Sequence, residues 1–307
     1  SFGSGEAVVL LHGFLENSSI WDAFIPTIAK KHQVITIDLL GHGKTGCTGY
    51  IHTMEEMAEA VHMVFLKLKI GNVSFIGHSM GGYVSLAFLE KFPEKVRNIT
   101  LLNSTPEADS EERKKNRDRA IALVKKNPKT FISMALANLF SSENIEKYNS
   151  EFENLKKEAF EIPVQGIIAA AEGMKIRTNR IEVLKNFNKQ KIIIVGEKDP
   201  ILDFSTIKSL ASLCNCQFIP LSSGHMSYIE NFSELKNLCS VSSFPEKRKC
   251  TCPIFSVFKI SALKPPRESQ NLAALLAAAI TELSSIVMGS AYNFPLIKKL
   301  GAIPKGR

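Results

Sequence analysis

The sequence predicts an α/β fold, with a mostly parallel sheet covered by helices on both faces and a helical cap inserted between two strands. Short continuous apolar runs, typical of parallel strands that are buried on both sides, alternate with helical patterns at the start of the chain. From residue 107 to 188 the pattern is helical without a convincing strand, and the strand–helix alternation then resumes. We therefore expect a core formed by residues 1–105 and 189–240, a cap at 106–188, and an atypical tail at 241–307.

Each strand is predicted from an apolar run that ends in a turn or a loop. The first run leads into His12-Gly13-Phe14, and the second ends in the glycine-containing loop 39–43. The predicted strands are residues 7–11, 33–38, the run that starts at Val73, 99–102, 191–195 and 217–221.

Helices are predicted between these strands from apolar residues at helical spacing. Thr53 and Glu56 have the spacing of a capping box, in which each side chain accepts the backbone N–H of the other residue. The predicted helices are residues 19–30, the segment from the capping box to residue 68, 83–92, 206–213, and one that ends near residue 238.

The positive charge of the chain lies mainly in its tail. The formal net charge is +8, and from Pro245 onward ten Lys and Arg stand against three Glu and no Asp. The preceding residues are therefore close to neutral, which argues against nucleic-acid binding because that function requires a basic patch. The basic run 113–126 is interpreted as a solvated helix face, and attraction of an anionic substrate to the cap is the alternative. For the tail, a frameshift or fusion product is the first interpretation, and a partner-binding extension is the alternative.

The cysteines and the apolar runs indicate the compartment. Six cysteines in 307 residues do not indicate a disulfide framework, so a reducing, cytoplasmic compartment is predicted. Cys214 with Cys216, and Cys250 with Cys252, are each separated by one residue, unlike typical zinc ligands, and we expect neither a metal nor another cofactor. The longest apolar run, residues 272–288, is interrupted by polar residues and falls short of the ~20 residues of a membrane span, so none is expected.

The most informative motif is Gly77-His78-Ser79-Met80-Gly81, which joins a predicted strand to a predicted helix. A serine at the tip of a sharp strand-to-helix turn has a strained backbone, so the residues two positions before and after it must be small. The turn directs the hydroxyl away from the sheet. We therefore predict that Ser79 is a nucleophile, and the alternative is a chance glycine-rich turn.

Two residues able to activate Ser79 follow the last two predicted strands. Asp199 lies in the loop after one strand and His225 in the loop after the other. Because the carboxyl ends of parallel strands meet at one edge of a sheet, these loops can converge on the serine. His225 is predicted to take the hydroxyl proton, and Asp199 to orient the imidazole and stabilise the imidazolium. Glu197 and Asp203 are the rivals of Asp199.

Backbone donors and a substrate pocket complete the predicted site. The N–H of Met80, which follows the nucleophile, and the N–H of Phe14, in the loop after the first strand, are predicted to form the oxyanion hole. Trp21, Leu202 and Met226 are predicted to line the substrate pocket, with ordinary core packing as the alternative. Four polar residues in loops are expected to shape those loops and not to transfer protons: His12, Asp38, His42 and His78.

Five segments together resemble the α/β-hydrolase superfamily. They are residues 11–14 (LHGF), 38–43 (DLLGHG), 77–82 (GHSMGG), 196–199 (GEKD) and 224–226 (GHM), and the resemblance covers roughly residues 5–239. The chain is most similar to small cap-bearing serine hydrolases of bacteria, a group of esterases and proteins likened to the menaquinone-pathway synthase that eliminates pyruvate from a cyclohexadiene carboxylate. The resemblance implies the α/β-hydrolase fold and serine-dependent chemistry on a small molecule.

The chain departs from this family in several respects. In the synthases, the glycine-rich turn that carries the serine is followed by an arginine that binds the substrate carboxylate. This chain has Tyr83 there, which argues against the synthase activity. The nucleophile is a serine, unlike the aspartate of dehalogenases and epoxide hydrolases. Only six residues precede the first predicted strand, where the family has an antiparallel pair, and there is no initiator Met, so we expect an altered start. The tail has no counterpart in the family.

The predicted function is a serine hydrolase that cleaves a carboxylic ester or a related acyl bond of a small molecule through a Ser79 acyl-enzyme. A C–C bond hydrolase or lyase using the same triad is one alternative. A catalytically inactive binding protein with this fold is another. The sequence does not predict the substrate or the oligomeric state.

Overall fold

The computed structural model describes residues 1–141 and 143–240, and these residues contain a six-stranded parallel sheet. The strand order is β2-β1-β3-β4-β5-β6, and Phe2 adds an isolated antiparallel bridge to Val34. The strands are β1 (Glu6–Leu11), β2 (His32–Ile37), β3 (Val73–His78), β4 (Val96–Leu102), β5 (Gln190–Gly196) and β6 (Gln217–Leu221). All six predicted strands are present, so the predicted fold class is confirmed.

Helices connect the strands. They are α1 (Ile25–Ile28), α2 (Met54–Leu68), α3 (Met80–Lys91), α4 (Glu111–Lys126), α5 (Pro128–Ala137), α6 (Asn149–Phe160), α7 (Val164–Lys175), α8 (Ile181–Asn186), α9 (Phe204–Leu213), α10 (Ser227–Glu230) and α11 (Phe232–Ser240). The single helix predicted at residues 19–30 is wrong, because Ser18–Trp21 forms a 3-10 turn and α1 begins again at Ile25. Pro26 fits the first turn of α1, where no N–H donor is needed, but would interrupt a longer helix.

The strands bury apolar side chains on both faces of the sheet. Val9 and Leu11 of β1 pack into one core with residues of α2, α3 and α9, whereas Val8 and Leu10 pack on the opposite face with residues of α1. These four side chains are all buried. A strand that is buried on both sides has no polar face, which is why β1 is an uninterrupted apolar run in the sequence.

Five helices, α4 to α8, lie between β4 and β5 in the chain. Helix α4 packs against α5 and α7, and α5 packs against α6. Helix α7 also reaches the loop before α2, where the N–H of His52 donates to the carbonyl oxygen of Ala169 at 2.9 Å. In residues 106–141 and 143–188 the structure has helices and no strand, as the sequence pattern predicts.

Residues 241–307 lie outside the described part of the chain, and with them the helix candidate at 272–288 and the Cys250–Cys252 pair. The interpretations of the tail therefore stay predictions. Within the described ranges, no helix combines the length and the apolar character that crossing a bilayer requires.

Helix α2 begins with the capping box that its sequence predicts. Oγ1 of Thr53 accepts the N–H of Glu56 at 3.1 Å, and Oε2 of Glu56 accepts the N–H of Thr53 at 2.9 Å. The start of a helix leaves four N–H groups without partners inside the helix, and the capping box supplies acceptors for two of them. The cap therefore fixes where α2 begins to cover the sheet.

Thr53→Ala is expected to lower the free energy of unfolding by about 1 kcal/mol, because the N–H of Glu56 loses its side-chain acceptor. Urea denaturation followed by circular dichroism measures the change. Thr53→Asn keeps a capping oxygen and serves as the control, with stability close to that of the wild type. A Thr53→Ala variant as stable as the wild type would contradict the role given to this cap.

Candidate active site

The serine of the Gly77-x-Ser79-x-Gly81 motif lies on the turn between β3 and α3. Its backbone has φ 48° and ψ −112°, a conformation that residues with a side chain rarely adopt. A Cβ atom on Gly77 would lie 2.5 Å from the backbone of Gly81, and one on Gly81 would lie 2.4 Å from the carbonyl oxygen of Leu11. The turn can therefore form only with glycine at both positions.

The structure brings Ser79, His225 and Asp199 together at the carboxyl edge of the sheet. Nε2 of His225 lies 2.8 Å from Oγ of Ser79, and Nδ1 of His225 lies 2.7 Å from Oδ2 of Asp199. Ser79 follows β3, His225 follows β6 and Asp199 follows β5. Ser79 also lies next to the boundary between β1 and β3, where the order in which strands are added to the sheet changes from one side of β1 to the other. Ligands of open α/β sheets bind at such points. The arrangement can transfer a proton from the hydroxyl to the imidazole.

The side chain of Asp199 is buried and is held in its ionised form. Besides His225, Oδ2 accepts a hydrogen bond from the side-chain amide of Asn103 at 2.9 Å. Oδ1 accepts the backbone N–H groups of Ile201 at 2.8 Å and Leu202 at 3.0 Å. Burial acts to raise the pKa of Asp199, but the neighbouring His225 and these hydrogen bonds outweigh it and leave that pKa below its ordinary value. Asp199 can therefore stabilise a positive charge on His225.

The two rival carboxylates have other positions. Asp203 is the N-cap of α9, and its side chain accepts the N–H of Thr206 at 2.8 Å. Glu197 is exposed to solvent. Among the described residues, Asp199 supplies the carboxylate that contacts the imidazole of His225.

Sequence reasoning missed Asn103, which connects two loops of this site. It follows β4 with a φ of 46°, and its amide donates to Oδ2 of Asp199 and, at 3.1 Å, to the carbonyl oxygen of Gly224. These bonds tie the loop of Asp199 to the loop of His225. Its position in the sequence could have indicated this role, because a polar residue directly after a buried parallel strand lies at the same edge of the sheet as Ser79, Asp199 and His225.

Phe14 and Met80 place backbone N–H groups at the site. Met80 is the first residue of α3, so its N–H has no acceptor within the helix. Phe14 follows β1 and lines the cavity at Ser79, and its N–H forms no hydrogen bond within residues 1–141 and 143–240. Both donors are therefore available to an oxygen atom of a bound molecule.

A cavity of about 510 Å³ opens at Ser79 and His225. Phe14 and Tyr83 line it from the core, and Phe131 and Leu139 line it from the segment between β4 and β5. A cavity of this size accommodates a small molecule. The walls are thus built by two parts of the chain that are distant in sequence.

Trp21, Leu202 and Met226, which the sequence predicts as pocket residues, do not line this cavity. Trp21 and Met226 are buried in the core on the α1 side of the sheet, and Leu202 is buried in the core on the opposite side. The prediction is wrong for all three, and core packing, the alternative, describes their positions. Large apolar side chains suit a core and a pocket wall equally well, so residue type does not distinguish the two.

Helix α4 turns a polar face toward the cavity. Four of the five α4 residues that line it follow helical i, i+3, i+4 and i+7 spacing, namely Arg113, Asn116, Arg117 and Ala120, and the fifth is Glu112. The buried carboxylate of Asp109 pairs with both arginines and with Arg177. Three guanidinium groups thus share one carboxylate, and the resulting positive charge is partly offset by Glu112 at the same cavity. The interpretation of 113–126 as a solvated face is wrong for this side of α4.

His12 and His42 are buried and neutral. The N–H of Leu39 donates to Nε2 of His12 at 2.9 Å, which leaves Nδ1 of His12 to donate to the carbonyl oxygen of Gly13 at 2.8 Å. Burial lowers the pKa of both histidines, that of His42 to about 3. These contacts hold loops and involve neither Ser79 nor His225.

Sequence reasoning also missed Glu16, which forms a buried ion pair with His78 beside Ser79. Nδ1 of His78 is 2.9 Å from Oε2 of Glu16. Burial disfavours both charges, but their mutual attraction and hydrogen bond outweigh it, so the pKa of His78 lies above its ordinary 6.5 and that of Glu16 below its ordinary 4.5. The available signal was a carboxylate two residues after Phe14, in a loop that otherwise turns into the core.

The described residues offer no cluster of His, Cys, Asp and Glu side chains that could bind a metal ion. Four cysteines are free thiols, namely Cys47, Cys214, Cys216 and Cys239. A second cavity, of about 830 Å³, has acidic residues in its wall, among them Asp22, Glu151 and Glu158, but no histidine. It therefore has no group equivalent to the base beside Ser79.

A family model described as "alpha/beta hydrolase fold" matches residues 6–232. An esterase from Thermogutta terrifontis, of known structure, is similar with a TM-score of 0.73 and 27% sequence identity, over 77% of this chain and 88% of the esterase.

Two curated relatives match a shorter stretch. A provisionally named 2-succinyl-6-hydroxy-2,4-cyclohexadiene-1-carboxylate synthase of Bacillus subtilis is 34% identical over 105 residues, which is 34% of this chain and 38% of that protein. A pimeloyl-[acyl-carrier protein] methyl ester esterase of Nitrosomonas europaea is 30% identical over 105 residues, 34% of this chain and 39% of the esterase. The chain thus matches less than half the length of these relatives.

The Glu16–His78 pair is expected to make stability depend on pH. The lowered pKa of Glu16 contributes stability that is present above pH 4.5 and lost as the pH falls through that pKa. The raised pKa of His78 contributes stability that is present below pH 6.5 and lost as the pH rises through that pKa. Both contributions are therefore complete between these two values.

His78→Asn removes the pair and is expected to destabilise the protein more at about pH 5.5 than at about pH 9. The free energy of unfolding of both proteins in urea at the two pH values measures this difference. An equal loss of stability at both would show that the charge of the pair does not contribute.

Proposed function

This chain belongs to the α/β-hydrolase fold family, and we propose that it is a serine hydrolase that cleaves a carboxylic ester or a related acyl bond of a small molecule. The observation that supports this most directly is the series of hydrogen bonds from Oγ of Ser79 through His225 to Asp199, on a strained turn. A hydroxyl, a base and an orienting carboxylate in such a series form an activated nucleophile.

In the proposed reaction His225 removes the proton of Ser79 while the hydroxyl oxygen attacks the acyl carbon. Because Asp199 accepts the Nδ1–H of His225, Nε2 is left unprotonated and faces the hydroxyl, as a base requires. The protonated His225 then gives its proton to the leaving alcohol as the C–O bond breaks. The same imidazole activates the water that hydrolyses the acyl-enzyme.

The N–H groups of Phe14 and Met80 are the proposed oxyanion hole. Negative charge develops on the carbonyl oxygen of the substrate during attack, and donors that are already in place stabilise it without reorganisation. The end of β1 and the start of α3 hold these two groups. Removing one such donor typically lowers kcat by about 10²- to 10³-fold.

Residues 106–188 are proposed to act as a cap that selects the substrate. Phe131 and Leu139 give the cavity an apolar wall, while Arg113 and Arg117 add positive charge. We therefore infer a preference for an ester whose acyl part also carries a negative charge. The sequence-based expectation of a cytoplasmic enzyme without cofactors is part of this proposal.

A C–C bond hydrolase or lyase with the same triad is the second candidate. The likeness to the Bacillus subtilis protein and the arginines at the cavity favour it. Against it, Tyr83 takes the position of the synthase arginine, and its ring packs 4.0 Å from the guanidinium carbon of Arg177. The esterase relatives support acyl transfer. Product analysis with an ester and with a cyclohexadiene substrate separates the two candidates.

Ser79→Ala is expected to lower the turnover of a short p-nitrophenyl ester by about 10⁴-fold or more, because no acyl-enzyme can form. Release of nitrophenol and labelling by a fluorophosphonate probe measure this, and both should be lost together. Ser133→Ala, a serine of α5 outside the cavity wall, is the matched control and should keep both. Unchanged turnover in Ser79→Ala would overturn the proposed function.

Arg113→Gln is expected to lower kcat/KM for p-nitrophenyl hemisuccinate by about tenfold, and to change little for the neutral butyrate ester. The reason is that a hydrogen bond between ions typically contributes about 1.5–3 kcal/mol, and the solvent exposure of Arg113 reduces that value. Lys115→Gln removes the same charge from an exposed position of α4 outside the cavity and is the control. Parallel losses on both esters would argue against an anion subsite.

A further inference from the structure

We propose that the buried ion pair of Glu16 and His78 is a positioning unit for acyl transfer, because it holds the backbone of His225 and the loop of Phe14 in one arrangement. This inference rests on the proposed function, since it assigns a task to residues beside the triad. It concerns groups that do not touch the reacting atoms themselves.

The contacts of Glu16 join three parts of the chain. Oε2 accepts the N–H of Gly13 at 2.5 Å as well as the bond from His78, and Oε1 accepts the hydroxyl of Tyr228 at 3.2 Å. Glu16 and His78 are both buried. The segment that carries the Phe14 N–H is thus fixed through His78 to the turn at Ser79, and through Tyr228 to α10, the helix that follows His225.

The neighbours of His78 determine its protonation. Nδ1 faces the carboxylate of Glu16, and Nε2 lies 3.0 Å from the carbonyl oxygen of His225. A carbonyl oxygen and an ionised carboxylate accept hydrogen bonds and cannot donate them, so both ring nitrogens of His78 must carry a proton. His78 is therefore an imidazolium, and its Nε2–H donates to the backbone of the proposed base.

His225 is consequently held at two points. Asp199 fixes the rotation of its ring through Nδ1, while His78 fixes the position of its backbone through the carbonyl oxygen. The same ion pair holds Gly13, next to the proposed oxyanion donor Phe14. Reacting groups must be placed to within fractions of an ångström, so a link that sets both positions at once affects the rate.

Other charged groups near the pair do not replace it. Asp199 also favours the charged form of His78, but its carboxylate hydrogen-bonds to His225. A positive charge on His12 would oppose the charge of His78, but burial lowers the pKa of His12 and keeps it neutral. Tyr228 keeps its proton, because burial and Glu16 raise its pKa well above the ordinary value. Glu16 is thus the direct counter-charge of His78.

Glu16→Gln tests the inference because it preserves shape but not hydrogen-bonding capacity. Oε2 accepts from two donors, Gly13 and His78. If the glutamine oxygen takes this position, His78 either remains a buried cation without a counter-charge or gives up the proton that binds one of its two partners. If the glutamine nitrogen takes it, the N–H of Gly13 faces another donor. Neither orientation of the glutamine amide therefore keeps the bonds to Gly13 and His78 without an unpaired charge, a lost hydrogen bond or a contact between two donors.

The expected result for Glu16→Gln is a loss of about 10- to 100-fold in kcat for the p-nitrophenyl ester, with KM changed by less than about twofold. Fluorophosphonate labelling should slow in parallel. Glu59→Gln, in the exposed pair with Lys91, is the matched control and should leave kcat, KM and labelling unchanged. A Glu16→Gln variant with the wild-type kcat would refute the inference.

Nitrogen NMR of histidine-labelled protein tests the protonation of His78, on which the inference depends. In the wild type at about pH 6.5, where an ordinary histidine is half protonated, His78 should carry a proton on both ring nitrogens, because each faces an acceptor. In Glu16→Gln, one of them should lose its proton. A neutral His78 in the wild type overturns the inference even if the variant does not fold.

The outcomes separate this inference from the proposed function. A wild-type protein that neither hydrolyses esters nor reacts with the probe refutes the proposed function. A wild-type protein that reacts, together with a Glu16→Gln variant that reacts equally fast, refutes only the role of the ion pair.

Discussion

The close packing of the turn at Ser79 is the constraint on which the rest of the site depends. Gly77 lies against Gly81, and Gly81 lies against the end of β1, so the chain has one sterically allowed path from β3 into α3. That path places the hydroxyl at the carboxyl edge of the sheet. Because every pairing in the six-stranded sheet is parallel, the loops after β1, β4, β5 and β6 reach the same edge.

Two carboxylate–histidine pairs lie side by side at this edge and have different protonation. The ring centroids of His78 and His225 are 5.3 Å apart. His225 has Asp199 on one nitrogen and a hydroxyl on the other, so it can act as a base. His78 has an acceptor on each nitrogen, so it is a fixed double donor. The group that faces Nε2 therefore decides whether the histidine can accept a proton or acts only as a hydrogen-bond donor.

The segment between β4 and β5 places charged side chains in the wall of the cavity at Ser79, whereas ligand pockets are lined mainly by apolar residues. Asp109 draws Arg113, Arg117 and Arg177 together, although an ion pair of this kind is weak support for stability because burying charges is unfavourable. Two of these arginines also line the cavity at Ser79. This placement supports the proposed preference for an anionic substrate.

The sequence alone determined the parallel sheet, the turn at Ser79 and the order of Ser79, Asp199 and His225 along the chain. These features follow from local rules, namely apolar runs, the steric need for glycine and the placement of polar residues after strands. Tertiary structure decided which side chains meet. Glu16 and His78 are 62 positions apart, and nothing in the local pattern links them. Trp21 and Met226 lie in the core, and Arg113 lies in the cavity wall. Residue type alone does not predict this difference, because the packing between elements decides which side chains face a core and which face a pocket.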